Sequence, residues 1–265
     1  MPTWWVGLVV WCIVKAVIQN KRAGLLLLVT FLLLVAPMSA LVSHIDLLSD
    51  VSPFSGMAFT LITDSAGANG FLITLTLLVA ITWYLVGSRS RLIALLVHLS
   101  ILLVIGFVAK TGLKPMTESP RPYTALLVHQ LFIPQAEHFY KLNDAQQTHV
   151  IEQVSKQVSP WRTKHWQGEK DYSFPSGHTI FAAICLAFFG GVFIEYKRYA
   201  LVIGLGAWAI MVAYSRLWLG MHRPIDLVGS ILFVGLVYLL MPNIHRLIER
   251  WFTLSAFSQH KKLTR

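Results

Sequence analysis

Long apolar runs are the feature that most restricts what this chain can fold into. Each run is close to the ~20 residues that an α-helix needs to cross the hydrocarbon core of a bilayer. They cover residues 23–42, 70–86, 92–109, 179–194, 200–219 and 225–241. Only 13% of the residues are charged, roughly half of the share that a soluble domain carries. We therefore predict an all-α integral membrane protein, folded as a helical bundle of six spans.

The segments outside these runs divide the chain into three parts. Residues 1–22 form an N-terminal segment, predicted as either an interfacial helix or an extra span, because Lys15 interrupts its short apolar run. Residues 23–245 form the six-span domain, in which a long insert, 110–175, separates spans three and four. Residues 246–265 form a basic tail.

The basic residues predict which side of the membrane each loop occupies. The segments 20–22, 88–91 and 195–199 are rich in Lys and Arg, whereas the loop 43–69 contains neither. Short basic loops stay on the cytoplasmic side, and long inserts are exempt from this rule. We therefore predict the basic turns and the tail in the cytoplasm, and the loop 43–69 and the insert on the extracytoplasmic side.

The net charge of +10 suits cytoplasmic loops that lie against anionic lipid. It does not indicate nucleic-acid binding, because no basic run is interleaved with aromatic residues. Within the insert, residues 143–158 carry apolar side chains at helical spacing. We predict a helix there, which lies over the site or on the lipid headgroups, or else packs against the rest of the protein with no role as a lid.

The stretch between the last two runs is very polar for the end of a membrane span, where charged groups are usually functional. Pro224 favours the first turn of a new helix, because the N–H that proline lacks would be unpaired there. His222 then lies just before the helix and Asp226 in its first turn. The carboxylate can accept the Nδ1 proton and leave Nε2 free as a nucleophile, or the pair can simply cap the helix. Arg216 adds a planar donor fork suited to phosphate.

Two further polar groups are expected on the same outer face. Just past span three, Lys114 and Arg121 lie in a proline-stiffened segment, where they bind an anion or anchor the span to headgroups. Before span four, Ser176 is a good N-cap, and Gly177 lets a ligand approach the backbone. The free N–H groups of that helix end form an anion site, with His178 in the first turn.

Together these groups predict a phosphoryl-transfer site. Fixed cations stabilise the charge on the phosphoryl oxygens, while the nucleophile and the leaving group lie in line. His222 would attack, and His178 would protonate the leaving alcohol and then activate water. Glu118 is a candidate partner for the cations. The sequence shows no carboxylate cluster for Mg²⁺ and no zinc pattern, so we predict no metal and no other cofactor.

Three motifs occur in a fixed order along the chain: Lys-x6-Arg-Pro at 114–122, Pro-Ser-Gly-His at 175–178 and Ser-Arg-x5-His-x3-Asp at 215–226. Together they resemble the signatures of the type 2 phosphatidic acid phosphatase superfamily, over roughly residues 20–245. The resemblance implies a metal-independent enzyme that forms a phosphohistidine on His222, held by Asp226. It implies that His178 is the acid and that the phosphate is bound by Lys114, Arg121, Ser176, Gly177 and Arg216.

The resemblance also implies a substrate class and a location. It implies removal of the terminal phosphate from phosphatidylglycerophosphate, undecaprenyl diphosphate, phosphatidate or diacylglycerol diphosphate. The chain is expected in the bacterial cytoplasmic (inner) membrane, with its site on the periplasmic side. Its expected partners are the lipid substrate and the bilayer, with no nucleic acid and no protein partner.

Two other functions fit the same residues. A phosphotransferase would pass the phosphoryl group from undecaprenyl diphosphate to another lipid instead of to water. A non-catalytic lipid transporter or lipid-binding protein would hold a phosphate at helix N-termini without chemistry. The sequence contains no visible inverted repeat, which disfavours the transporter.

Overall fold

The computed structural model describes residues 4–42 and 45–242 of the chain, with side chains from residue 21 onwards. Every regular element in these residues is helical, so the predicted all-α class is confirmed. The α-helices are α1 (Trp4–Leu41), α2 (Pro53–Ala66), α3 (Phe71–Val86), α4 (Arg89–Thr117), α5 (Pro122–His129), α6 (Asp144–Val154), α7 (Pro160–Gly168), α8 (Gly177–Glu195), α9 (Tyr199–Trp218) and α10 (Pro224–Leu240). A 3₁₀ helix covers Ala136–Lys141. The predicted basic tail lies outside the described residues.

Several of these helices are suited to cross a membrane. Four stretches are long and apolar enough: Lys21–Leu41, Arg89–His129, Gly177–Glu195 and Tyr199–Trp218. α2 and α3 are long and apolar enough only when taken together, as a pair bent by 67° at the break between them. α10 is apolar but shorter. The chain is therefore a multi-pass membrane protein, while the count of six spans stays a prediction.

α8 is the centre of the bundle. Its residues from Thr179 to Gly190 are all buried, as expected for a helix that is apolar on every side. α1, α4, α9 and α10 pack around it. Gly190 lets α1 approach closely, because a Cβ there would lie 2.5 Å from Leu27 Cδ1. This packing holds α8 in the bundle, and the Pro-Ser-Gly-His motif lies at its N-terminal end.

The two ends of the bundle hold different groups. At one end, Arg91 Nη2 lies 2.6 Å from Glu195 Oε1, so two of the basic turns meet. At the same end of the bundle, where α10 ends, Lys21 Nζ donates to the carbonyl oxygens of Leu239, at 2.9 Å, and Met241. The three motifs lie at the opposite ends of α4, α8, α9 and α10, so the fold gathers them at one end of the bundle.

Two predicted boundaries differ from the structure. The basic segment 20–22 is not a turn, because α1 continues through it. The proline inside α1 is Pro37, well beyond this segment. Span three does not end at residue 109, because α4 continues to Thr117 and carries Lys114 near its end. The Lys114 ammonium near the end of this longer helix pairs with the carboxylate of Asp171.

The loop predicted over 43–69 contains a helix, α2, with Pro53 at its first position. Its buried side consists of small and polar residues: Gly56, Thr60, Thr63 and Ala66. Its exposed side carries large apolar residues: Phe54, Met57 and Leu61. This polarity is the inverse of a surface helix in a soluble protein, and the sequence, which is rich in Ser, Asp and Gly, predicted a loop instead.

The insert folds over the end of the bundle that holds the motifs. Its helix predicted over 143–158 is α6, and Ile151, Val154 and Val158 are buried in an apolar cluster of the insert. α6 therefore packs on the protein, and its position over the site or on the lipid headgroups stays a prediction. Trp166 Nε1 of α7 donates to the carbonyl oxygen of Leu219 at 2.7 Å, which joins this cluster to the turn after α9.

Candidate active site

His222 and Asp226 lie together, as the spacing predicted. Gly220, with φ +67°, allows the sharp turn after α9, and Pro224 starts α10. His222 Nδ1 lies 3.4 Å from Asp226 Oδ2. The same carboxylate oxygen accepts hydrogen bonds from the backbone N–H of Arg223, at 2.7 Å, and from the Ser173 hydroxyl. With Nδ1 turned to the carboxylate, the assigned tautomer leaves the Nε2 lone pair free.

The charge state of His222 suits a nucleophile. Burial lowers the pKa of the imidazole, the hydrogen bond with Asp226 opposes this, and Arg121 and Arg216 add to the lowering, so that the pKa is about 4. The ring is therefore neutral at neutral pH. We call His222, Asp226 and Ser173 the nucleophile half of the site.

The Pro-Ser-Gly-His motif forms the start of α8. Ser176 is the N-cap, and its hydroxyl accepts from the backbone N–H of Thr179 at 3.3 Å. The backbone N–H of Ser176 donates to the Ser230 hydroxyl of α10 at 2.9 Å. Gly177 is in close contact with Lys110, since a Cβ there would lie 2.7 Å from the Lys110 Cδ. The starts of α8 and α10 are thereby locked together, with His178 in the first turn of α8.

The three predicted cations converge on two carboxylates, and we call Lys114, Arg121 and Arg216 the cation half. Arg216 Nη2 lies 2.7 Å from Glu169 Oε1, and Arg121 Nη2 lies 3.2 Å from Glu169 Oε2. Arg121 Nη2 also lies 2.6 Å from Asp171 Oδ1, and Lys114 Nζ lies 2.6 Å from Asp171 Oδ2. The three cations among the predicted phosphate ligands are therefore brought to one place.

The cation half is also fixed by neutral acceptors. Arg121 Nη1 donates to the carbonyl oxygen of Met221 at 3.0 Å, beside His222. Arg216 Nη1 donates to the Thr63 hydroxyl of α2 at 2.6 Å. Among the described residues, Arg216 Nε is buried and has no hydrogen-bond acceptor, so this guanidinium retains a donor for a further oxygen.

Glu169, which sequence reasoning missed, lies between Arg216, Arg121 and the imidazole of His178. Its Oε1 is 3.9 Å from His178 Nε2. Burial raises the pKa of this carboxyl, but the surrounding charges, Arg216 foremost, lower it more, so the pKa lies well below its usual range.

Asp171 and Ser173 were missed as well, and Glu118 was the wrong acidic residue. Glu118 is exposed at the end of α4. Burial raises the pKa of Asp171, but Arg121 and then Lys114 lower it more, so the net shift is downward. The one signal for these residues was position, since 169–173 directly precedes the Pro-Ser-Gly-His motif and carries two of only 12 acidic residues.

The arrangement gathers donors that suit an anion next to the turn that carries His222. Two guanidinium forks and an ammonium hold carboxylate oxygens, and a phosphate presents oxygens of the same charge to the same donors. In the part of the chain that the structure describes, no group of three or more His, Cys, Asp or Glu side chains is placed to hold a metal ion.

This chain is similar to a known family and to curated proteins. The model of the PAP2 superfamily matches residues 93–250, which include all three motifs. Phosphatidylglycerophosphatase B of Haemophilus influenzae is 33% identical over 186 residues, or 67% of this chain and 76% of that protein. Phosphatidylglycerophosphatase B of Escherichia coli (strain K12) is 35% identical over 164 residues, or 60% of this chain and 64% of that protein.

Proposed function

This chain belongs to the PAP2 superfamily and is a lipid phosphatase, and we propose that it works through a phosphohistidine on His222. The observation that carries the proposal is the site itself. Three cations converge on two carboxylates, one of which lies 3.9 Å from the His178 imidazole, and a second imidazole, His222, is neutral and held by Asp226. A binding protein needs the cations but has no use for a nucleophile poised beside them.

Substrate binding begins with an exchange of anions. The terminal phosphate replaces the carboxylates of Glu169 and Asp171 on the cation half, because its oxygens carry like charge and accept the same hydrogen bonds. The unpaired Nε of Arg216 and the N-terminal end of α8 at Ser176 and Gly177 supply further donors.

Two displacements at phosphorus complete the reaction. In the first, His222 Nε2 forms a bond to phosphorus, the bond from phosphorus to the leaving oxygen breaks, and that oxygen takes a proton from His178. In the second, His178 takes a proton from water, the water oxygen attacks phosphorus, and the bond to His222 breaks. The products are the dephosphorylated lipid and inorganic phosphate.

The preferred substrate is proposed as phosphatidylglycerophosphate, in keeping with the names of the relatives. Undecaprenyl diphosphate, phosphatidate and diacylglycerol diphosphate offer the same terminal phosphate. We propose a periplasmic site in a bacterial cytoplasmic membrane. The opposite end of the bundle, where the basic turns meet through Arg91 and Glu195, would then face the cytoplasm.

A panel of these four lipids in detergent micelles, with EDTA present, tests the proposal. We expect phosphate release by the wild type in EDTA, and loss of about 10³-fold or more for His222→Ala, which lacks the nucleophile. His178→Ala should lose about 10²- to 10⁴-fold on monoesters. Loss of wild-type activity in EDTA would contradict metal independence, and a new lipid phosphate in place of inorganic phosphate would indicate a phosphotransferase.

A further inference from the structure

α2 forms a wall of the site on the side of His178. Thr63, which is fully buried, accepts a hydrogen bond from Arg216. One turn further on, the chain leaves α2 at Gly67 and bends into α3. The backbone there is fixed on both sides, since the N–H of Gly67 donates to the Asp64 carbonyl at 3.0 Å and the Gly67 carbonyl accepts from Phe71 N–H at 2.9 Å.

Gly67 lies directly against the imidazole of His178. A Cβ at residue 67 would be 2.7 Å from His178 Nε2 and 3.5 Å from its Cδ2. The backbone of Gly67 has φ −97° and ψ −176°, a conformation that any residue adopts. Space, and not backbone strain, is therefore what excludes a side chain at this position.

The nitrogen that Gly67 touches is the one that faces the anion site. His178 Nε2 is the atom near Glu169 Oε1, at 3.9 Å. In-line displacement by His222 puts the leaving oxygen on the far side of phosphorus, which is the side of His178. A proton donor must come within about 2.6–3.2 Å of that oxygen. A methyl group on residue 67 would push the ring away or occupy the place of the leaving oxygen.

We propose that Gly67 is a positioning residue for leaving-group protonation: the absence of a side chain at the α2–α3 bend sets the position of the His178 imidazole and keeps room for the leaving oxygen beside it. The inference rests on the proposed function. It assigns a catalytic consequence to α2, and it predicts that substitution of Gly67 changes selectivity between kinds of leaving group.

Leaving groups differ in how much they need a proton. An alcohol oxygen has a pKa close to that of water, about 15.7, and cannot depart without protonation. Phosphatidate, split in this way, releases an alcohol. Diacylglycerol diphosphate releases a phosphate monoester, whose second pKa is about 6, so it departs as a stable anion. A fault in proton donation therefore slows the hydrolysis of phosphatidate more than the hydrolysis of diacylglycerol diphosphate.

The test compares Gly67→Ala with Gly204→Ala, a matched change on α9 where a Cβ meets nothing within 4 Å. We expect Gly67→Ala to lower kcat on phosphatidate about 10²-fold, the scale of a ~1 Å misplacement. On diacylglycerol diphosphate the loss should be less than about tenfold, and KM should stay within about threefold for both. Gly204→Ala should match the wild type on both substrates.

Equal losses on the two substrates, or no loss on either, would overturn the inference. Inactivity of the wild type on both lipids would instead refute the proposed function. If Gly67→Ala is too unstable for the kinetic test, the midpoint of thermal unfolding tests the contact between residue 67 and His178 instead. The double variant Gly67→Ala/His178→Ala has room for the methyl group, so its midpoint should equal that of His178→Ala alone. A midpoint lowered as much as by Gly67→Ala alone would show that residue 67 presses on something else.

Discussion

The nucleophile half and the cation half of the site are equally buried, yet they are held in different ways. Members of the nucleophile half are at most 2% exposed and contact one another. The cation half is held by carboxylates that reach water, since the side chains of Glu169 and Asp171 are 28% and 53% exposed. One half is built in advance, and the other holds anions that a substrate can replace.

This difference separates the expected effects of substitution. Changes in the nucleophile half should lower kcat, because the fixed geometry serves bond formation at phosphorus. Changes in the two carboxylates should alter the affinity for phosphate, because these groups compete with the substrate for the same donors.

The largest effect in this comparison is expected for Asp226→Asn. The amide removes the charge that stabilises the His222 tautomer, and loss of the corresponding group in a serine protease costs about 10⁴-fold in kcat. We expect a fall of about 10³- to 10⁴-fold in kcat for phosphate release, with little change in KM. Asp50→Asn, an exposed carboxyl before α2, serves as the control. A fall in affinity with kcat preserved would place Asp226 in the cation half instead.

Ser173→Ala should have a smaller effect of the same kind. The Ser173 hydroxyl donates to Asp226 Oδ2, and a hydrogen bond to a charged group contributes about 1.5–3 kcal/mol. We expect kcat to fall about tenfold to hundredfold at constant KM in steady-state phosphate release. The exposed Ser90→Ala on α4 should have no effect. A normal kcat for Ser173→Ala would show that Asp226 alone holds the imidazole.

Glu169→Gln should strengthen the binding of phosphate. The neutral amide competes less well for Arg216 and Arg121 than the carboxylate does, so we expect the dissociation constant of inorganic phosphate to fall about tenfold. Isothermal titration calorimetry would measure it, with Glu152→Gln on the exposed side of α6 as the control. Weaker binding in Glu169→Gln would mean that this carboxylate supports the anion site instead of occupying it.

The pH dependence of phosphate binding tests the same comparison between Glu169→Gln and the wild type. The carboxyl of Glu169 has a pKa well below its usual range, so it stays ionised as the pH falls from 8 to 5, and the competition persists. The ratio of phosphate affinities between Glu169→Gln and the wild type should therefore stay constant over this range. A ratio that approaches one at pH 5 would show that Glu169 gains a proton there.

The sequence was sufficient for the residues whose roles depend on spacing along one segment. His222 and Asp226 lie four positions apart at a helix start, and Ser176 caps the helix that carries His178. Local geometry fixes such pairs. The long apolar runs likewise predicted the all-α class and most of the helices of the bundle.

The sequence was insufficient where distant segments meet. No spacing rule indicates that Glu169, rather than Glu118, pairs with Arg216, because that contact depends on how the insert folds back. α2 escaped prediction because its polar side faces protein and its apolar side is exposed. The role of Gly67 could not be predicted, because it depends on contact with His178, which belongs to another helix.

Trapping the covalent intermediate tests the central claim most directly. Wild-type protein would be mixed with a lipid whose terminal phosphate carries ³²P, quenched in alkali within milliseconds, digested, and analysed by mass spectrometry. We predict an alkali-stable label on His222, absent from His222→Ala. A label on another residue, or none in wild-type protein that is releasing phosphate, would contradict the mechanism.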